Sequence, residues 1–474
     1  MATAIAKPPA ATAVRIKWIP LLLAIALGLG LFFMPAQHGL TRAGQTALAI
    51  TAFTIVLWAF GVMNNGVASV LMMALLIPAG AKPSLALSGF STGSWWILLA
   101  VLYYGFAMQK TGLAARVSYY ILSLFPSSYS GILAAFFVIG TALSLGIPSM
   151  TVRTAIMVPI AWAVVKSLDL KPRSHGSALI MLTTIEMAVV PGLGLLYGSL
   201  DGPVVASVFD LKHLPLSYLA YARVLYLPVF VLCALIVFGN QWVLKPEKAL
   251  DTSAEFVRGK LRELGPFKRN EAITGLIVLC SIVFWSTDRW HHLPSFFIGM
   301  VGLAVFALAG IVGNADNAGG ISWTLLMFMV GIFSLQNVLT EYKLTDWLAG
   351  YFVPIAQHLA SSTMILLLAI GGMTLALRFL DPSGFIAIVV TFVPLVDTTS
   401  AAGIPPLILT AALLIPSVPF WATYQNIWVA MGEGITEGLA FDGSQRVRLA
   451  TLYAVISLLS VAASIGYWKA IGAL

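Results

Sequence analysis

The residues best able to do chemistry in this chain stand where long apolar stretches break. One break reads IPSMTVRTAIMVPI, residues 147–160, and carries Ser149, Thr151 and Arg153. Another reads LDPSGFIAIVVTFVPLV, residues 380–396, with Asp381 inside it and Arg378 just ahead. Further breaks read VVPGLGLLYGSLDGP at 189–203 and IPSVPFWATYQN at 415–426. These are not the ingredients of an enzyme. The six histidines, at 38, 175, 213, 291, 292 and 358, fall in or beside loops without the spacing of a metal site. No paired carboxylates stand out, so no catalytic residue, metal or cofactor is expected. The breaks can instead hold a small charged solute. A helix interrupted part-way exposes free N–H groups at one half-helix start and free carbonyls at another's end. The former favour an anion, and the latter suit a cation. Hydroxyls of Ser149, Thr151, Ser199 and Thr423 can donate to carboxylate oxygens. Gly194, Gly198 and Gly384 let the backbone come close to the solute.

A bilayer positions these residues. The chain has 474 residues, 59% hydrophobic and only 9% charged, with a mean hydropathy of +0.95. A soluble domain carries about 25% charged residues, because water-facing surface needs them. The apolar runs are near the roughly 20 residues that cross hydrocarbon, and in lipid such runs must be helices. The expected fold class is an all-α polytopic membrane protein, with about eleven transmembrane helices plus two re-entrant hairpins in an inverted repeat. The +8 net charge does not point to nucleic acid. Its basic residues crowd short loops, above all 241–270 with Lys245, Lys248, Arg258, Lys260, Arg262, Lys268 and Arg269. The positive-inside rule makes that loop cytoplasmic, with the N-terminus inside and the C-terminus outside. Cys233 and Cys280 lie within apolar runs and read as core. Tryptophans 18, 95, 96, 323, 347 and 468 read as interfacial anchors.

The expected organisation is a tail at 1–17, a first span at 18–35 and a first repeat at 36–241 containing a hairpin at 130–167. A basic linker at 242–270 leads to a second repeat at 271–474 with a hairpin at 362–398. The apolar residues after each hairpin break, 155–165 and 385–396, are too few to cross ~30 Å at about 1.5 Å per residue. The span from Trp96 to Leu113 resembles that from Trp323 to Leu344, and each precedes an interfacial stretch and an interrupted segment. An odd number of crossings inverts the second copy. Inverted repeats with paired broken helices are a transporter signature, with the solute bound near the midplane.

An arginine at membrane depth is costly and functional by default. Arg153 either contacts an anionic solute or acts as a fixed cation. The alternative is that it pins the tip by pairing with Asp201 or Glu186. Arg378 and Asp381, three residues apart, share a helix face and suit a local ion pair, unless Arg378 is a second anion contact. Asp201, Asp381 and Glu186 are candidate proton carriers, since burial raises a carboxylate's pKa.

Over nearly the whole chain these features resemble the divalent anion–sodium symporters, also called the INDY or di- and tricarboxylate transporter family. The stretch LSGFSTGSWWILLAVLYYGFAMQKTGLAARVSYYIL is similar to the family's fourth span and the amphipathic helix after it. The resemblance places Ser149, Met150 and Thr151 at a tip where the family carries Ser-Asn-Thr. Pro382, Ser383 and Gly384 fall at the second tip. Gly194, Gly198, Ser199 and Asp201 stand in the first of two unwound loops that end in Thr-Pro-Pro-Asn in the family. Ala422, Thr423 and Asn426 stand in the second. The resemblance implies a homodimer in which a mobile transport domain moves like an elevator against a fixed scaffold. It implies secondary active transport of di- or tricarboxylates. With no organelle signal, the expected bilayer is a bacterial inner membrane.

Both tip asparagines of the family are missing here. Met150 replaces one, and Ser383 or Gly384 the other. An amide oxygen is a good ligand for a hard cation, and methionine is not. Sodium therefore stays open as the coupling ion, beside protons and anion exchange. Sulfonate, sulfate and phosphonate stay open as cargo, because the guanidinium fork fits them as well. A channel or non-transporting receptor with the same fold is the remaining alternative.

Overall fold

The computed structural model describes residues 17–35, 39–247, 255–359, 362–379 and 384–474. No strand occurs among them. Helices α1 (Trp18–Phe33), α2 (Arg42–Phe60) and α3 (Asn65–Leu76) open the chain, with a single turn α4 (Pro83–Ala86) after them. Then come α5 (Gly93–Thr111), α6 (Leu113–Ser123), α7 (Tyr129–Gly146), α8 (Met150–Ser167), α9 (His175–Val189), α10 (Asp201–Leu211) and α11 (Tyr218–Val243). The basic linker contains α12 (Glu255–Glu263). The second half runs α13 (Arg269–Ser286), α14 (Asp288–His291), α15 (Ser295–Leu308), α16 (Asp316–Gly319), α17 (Trp323–Glu341) and α18 (Leu344–Leu359). It closes with α19 (Thr363–Leu377), α20 (Phe385–Ala401), α21 (Pro406–Leu414), α22 (Ile427–Ile435) and α23 (Gly443–Ala470).

Among the described residues, seven helices are individually long and apolar enough to cross a bilayer. Broken or shorter helices supply the rest. Gly112 explains one of the bends. It takes a left-handed φ of 86°, and α6 leaves α5 at 68°. Only glycine does this without strain.

Contacts define two ends of the bundle. At the basic end, Arg116 donates to the carbonyls of Leu264, Gly265 and Pro266 and pairs with Glu271 at 3.1 Å. Lys110 pairs there with Asp316 at 2.6 Å, and Arg173 Nε donates to the Gly438 carbonyl at 2.9 Å. At the opposite end, the Tyr218 N–H donates to Asp288, and Arg223 donates to the Ile471 carbonyl at 2.5 Å. Helix α7 runs from the basic end to a tip over 147–149, and α8 runs back from that tip. Helix α9, beside them, is buried along its length from Gly176 to Val189. Gly140 makes this contact close, since a Cβ there would overlap the Met187 carbonyl. Small residues at helix contacts are what membrane packing favours.

Some side chains sit elsewhere than hydropathy suggests. Trp95 and Trp468 turn into the bundle rather than toward lipid, and Trp468 Nε1 donates to the Val224 carbonyl at 2.9 Å. Cys280 is exposed on α13 rather than core, while Cys233 is buried. An apolar run carries no sign of which face meets lipid and which meets protein.

Candidate functional site

The first tip is built around Arg153. Ser149 caps α8 by accepting the Val152 N–H at 3.3 Å. One turn on, the Arg153 side chain is fully buried. Its Nε donates to the Ala188 carbonyl at 2.7 Å, its Nη1 to those of Ile147 and Gly198 at 2.5 Å each, and its Nη2 to that of Val189 at 3.3 Å. Helix α9 gives way at Val190 to a short 3₁₀ turn and a loop, and the guanidinium fork collects carbonyls at the entry and near the end of that stretch. The arginine thus does pin the tip, but to backbone rather than to Glu186. Asp201, at the start of α10, lies close enough for its charge to act on Arg153. Gly192 was not singled out in the sequence, yet it packs against this side chain. A Cβ there would sit 2.5 Å from Arg153 Nη2.

The second tip repeats the device. Arg378 follows the last turn of α19 and is buried. Its Nη2 donates to the Gln425 carbonyl in the second unwound loop. Gly384 starts α20 with a left-handed φ of 80°, and a Cβ there would lie 2.9 Å from Arg378 Nη1. Asp381, Pro382 and Ser383 lie outside the described residues, and with them the expected Arg378–Asp381 pair.

The remaining candidates divide. Asn426 caps α22, its Oδ1 accepting from the Trp428 and Val429 N–H groups at 3.2 Å. Trp428 Nε1 donates to Thr151 Oγ1 at 3.2 Å, which joins the first tip to the second unwound loop. Met150 and Ser199 are buried, and the Ser199 hydroxyl has no hydrogen-bond partner among the described residues. Gly194 lies against α11, where a Cβ would approach Tyr226 Cα to 3.1 Å. Ala422, partly exposed, donates its N–H to Gln425 Oε1 at 2.8 Å. Thr423 accepts from Arg446 Nη1 at 2.7 Å, and the same Nη1 pairs with Glu433 at 2.7 Å. Sequence reasoning missed Arg446 and Glu433, because near helix ends such residues read as interfacial.

Glu186 forms a separate buried cluster. Its Oε2 accepts from Asn240 Nδ2 at 2.6 Å, and Asn240 also donates to Thr183 at 3.0 Å. Its Oε1 is enclosed without a hydrogen-bond partner among the described residues. Beside it a cavity of about 10 Å³, room for one water, is lined by Val418, Phe420 and Asn426 of the second unwound loop.

The family model for the sodium:sulfate symporter transmembrane region matches residues 15–473. The chain belongs to the sodium:sulfate symporter family. This family membership agrees with the resemblance read from the tips and unwound loops. The chain is 25% identical to the dicarboxylate transporter 1 of spinach chloroplasts, covering 96% of this chain and 81% of that protein. It is 24% identical to a putative malate transporter, YflS, of Bacillus subtilis, covering 71% and 72%. It is 25% identical to the inner membrane protein YbhI of Escherichia coli, covering 94% and 96%. Among solved structures, the YdaH transporter of Alcanivorax borkumensis superposes with a TM-score of 0.56 at 13% identity, covering 96% of this chain and 98% of that one. At that identity the likeness concerns the fold. This symporter-family chain is an integral membrane protein of transporter architecture.

Proposed function

We propose that this chain is a secondary carrier of small organic dianions, di- or tricarboxylates foremost, working by elevator-type alternating access. We assign Arg153 as a fixed cation in the place of a coupling ion. The observation that carries this reading is the guanidinium held by the carbonyls of Ile147, Ala188, Val189 and Gly198 between tip and unwound loop. That is a set of ligands a dissociable cation would otherwise need, and Met150 offers none. A charge that cannot dissociate favours return of the loaded carrier, hence exchange of one anion for another. The anion is assigned to the surface between Thr151, Thr423, Asn426 and the second tip. The names of the chloroplast and Bacillus relatives support the substrate class. Sulfate, sulfonate or phosphonate is the alternative cargo. The protein is proposed to act as a homodimer in a bacterial inner membrane, with its basic end and N-terminus cytoplasmic and its C-terminus outside.

Uptake of labelled succinate into proteoliposomes tests this. Uptake that ignores sodium and requires internal anion is expected. Uptake driven by a sodium gradient would overturn the fixed-cation role. A second reading, proton coupling, is favoured by one observation: the enclosed, unpartnered Oε1 of Glu186 beside the second unwound loop. An ionised carboxylate with a buried, unsatisfied oxygen is costly, and a proton removes that cost.

A further inference from the structure

Away from the tips, the basic end carries a second feature. A cavity of about 440 Å³ opens between the end of α5, the start of α13 and the residues after α15. Lys110, Lys268, Arg269 and Asn270 line it, with Gly310 and Ile311 as its floor. The nearby carboxylates are already engaged. Asp316 pairs with Lys110 at 2.6 Å, and Glu271 pairs with Arg116 at 3.1 Å. Lys268 and Arg269 have no ion pair among the described residues. The cavity therefore holds uncompensated positive charge.

What lies beyond the cavity narrows the occupant. Leu276 and Val283 follow Arg269 at seven-residue steps and share its face of α13. Leu276 is 62% exposed. On α15, which packs beside α13, Leu308 is 88% exposed. A cationic hollow thus sits at the head of an apolar wall. A free phosphate would use only the hollow, whereas a lipid would use both.

We propose that this cavity binds the phosphodiester headgroup of an anionic phospholipid, whose acyl chains lie along α13 and α15. Basic pockets between membrane helices recognise anionic headgroups in this way. No tip or unwound-loop residue named above lines this cavity, so the proposal does not rest on the carrier reading. The full-length protein, purified in neutral detergent, is titrated with phosphatidylglycerol, phosphatidylcholine or soluble glycerol phosphate, and bound lipid is read by native mass spectrometry. Phosphatidylglycerol is expected to bind at least about tenfold tighter than phosphatidylcholine, and Lys268→Gln with Arg269→Gln to remove that preference. Lys82→Gln, at a residue that does not line this cavity, keeps it. Equal binding of the two lipids, or a preference that survives the double variant, overturns the proposal. Competition by glycerol phosphate at equal concentration would reassign the site to a soluble phosphate ester.

Discussion

Arg153 Nη1 reaches the Gly198 carbonyl at 2.5 Å, so one side chain ties the first hairpin tip to the first unwound loop. Arg153→Ala leaves buried carbonyls without donors, and each buried group left unsatisfied costs about 1–3 kcal/mol. A marked fall in thermal unfolding temperature and loss of uptake are expected. Arg153→Lys restores the charge but not the planar fork, and is expected to recover little. Unchanged stability and transport in Arg153→Ala would remove the arginine from both roles.

Gly192 lets this arrangement exist. In Gly192→Ala the new methyl would sit 2.5 Å from Arg153 Nη2 and overlap the Gly198 carbonyl. Overpacking of this kind costs about 1–3 kcal/mol. Gly372→Ala, on α19 with open space around it, is expected to be neutral or slightly stabilising. Thermal unfolding of the two variants side by side measures the difference.

Glu186→Gln separates exchange from proton coupling. The variant is close in shape and cannot carry a proton on and off. If Glu186 couples transport to protons, uptake driven by a pH gradient disappears while counterflow with internal succinate persists. If uptake in the parent protein ignores the gradient, the proton reading fails at once.

Thr423 links the second unwound loop to α23 through Arg446, at 2.7 Å. Thr423→Val removes the acceptor while the Arg446–Glu433 pair remains. For a substrate contact, KM for succinate is expected to rise about tenfold, the scale of one hydrogen bond to a charged group. An unchanged KM would move the anion away from Thr423.

Much of this protein is legible in its sequence because lipid imposes simple rules. Hydrocarbon admits only satisfied backbone, so apolar length alone yields helices such as Tyr218–Val243. The gap over 147–149 and the break after Val189 fall where proline and glycine interrupt the runs. The short half-helix expected over 155–165 is not what forms: α8 runs on from Met150 to Ser167 through Pro159, long enough to cross a bilayer. Arg153 and Arg378 stand out on cost alone.

Composition and periodicity stop at the helix surface. They do not show that Trp468 turns inward or that Cys280 turns out, because both neighbours, lipid and protein, are apolar. They name Asp201 and Glu186 as partners for Arg153, since charge is visible in a sequence. Asp201 does lie close enough to act on Arg153, but the guanidinium donates to carbonyls, which every residue carries and no sequence distinguishes. Only the folded chain decides which carbonyls an unwound loop sets free, and so brings those of Ala188 and Gly198 to one guanidinium.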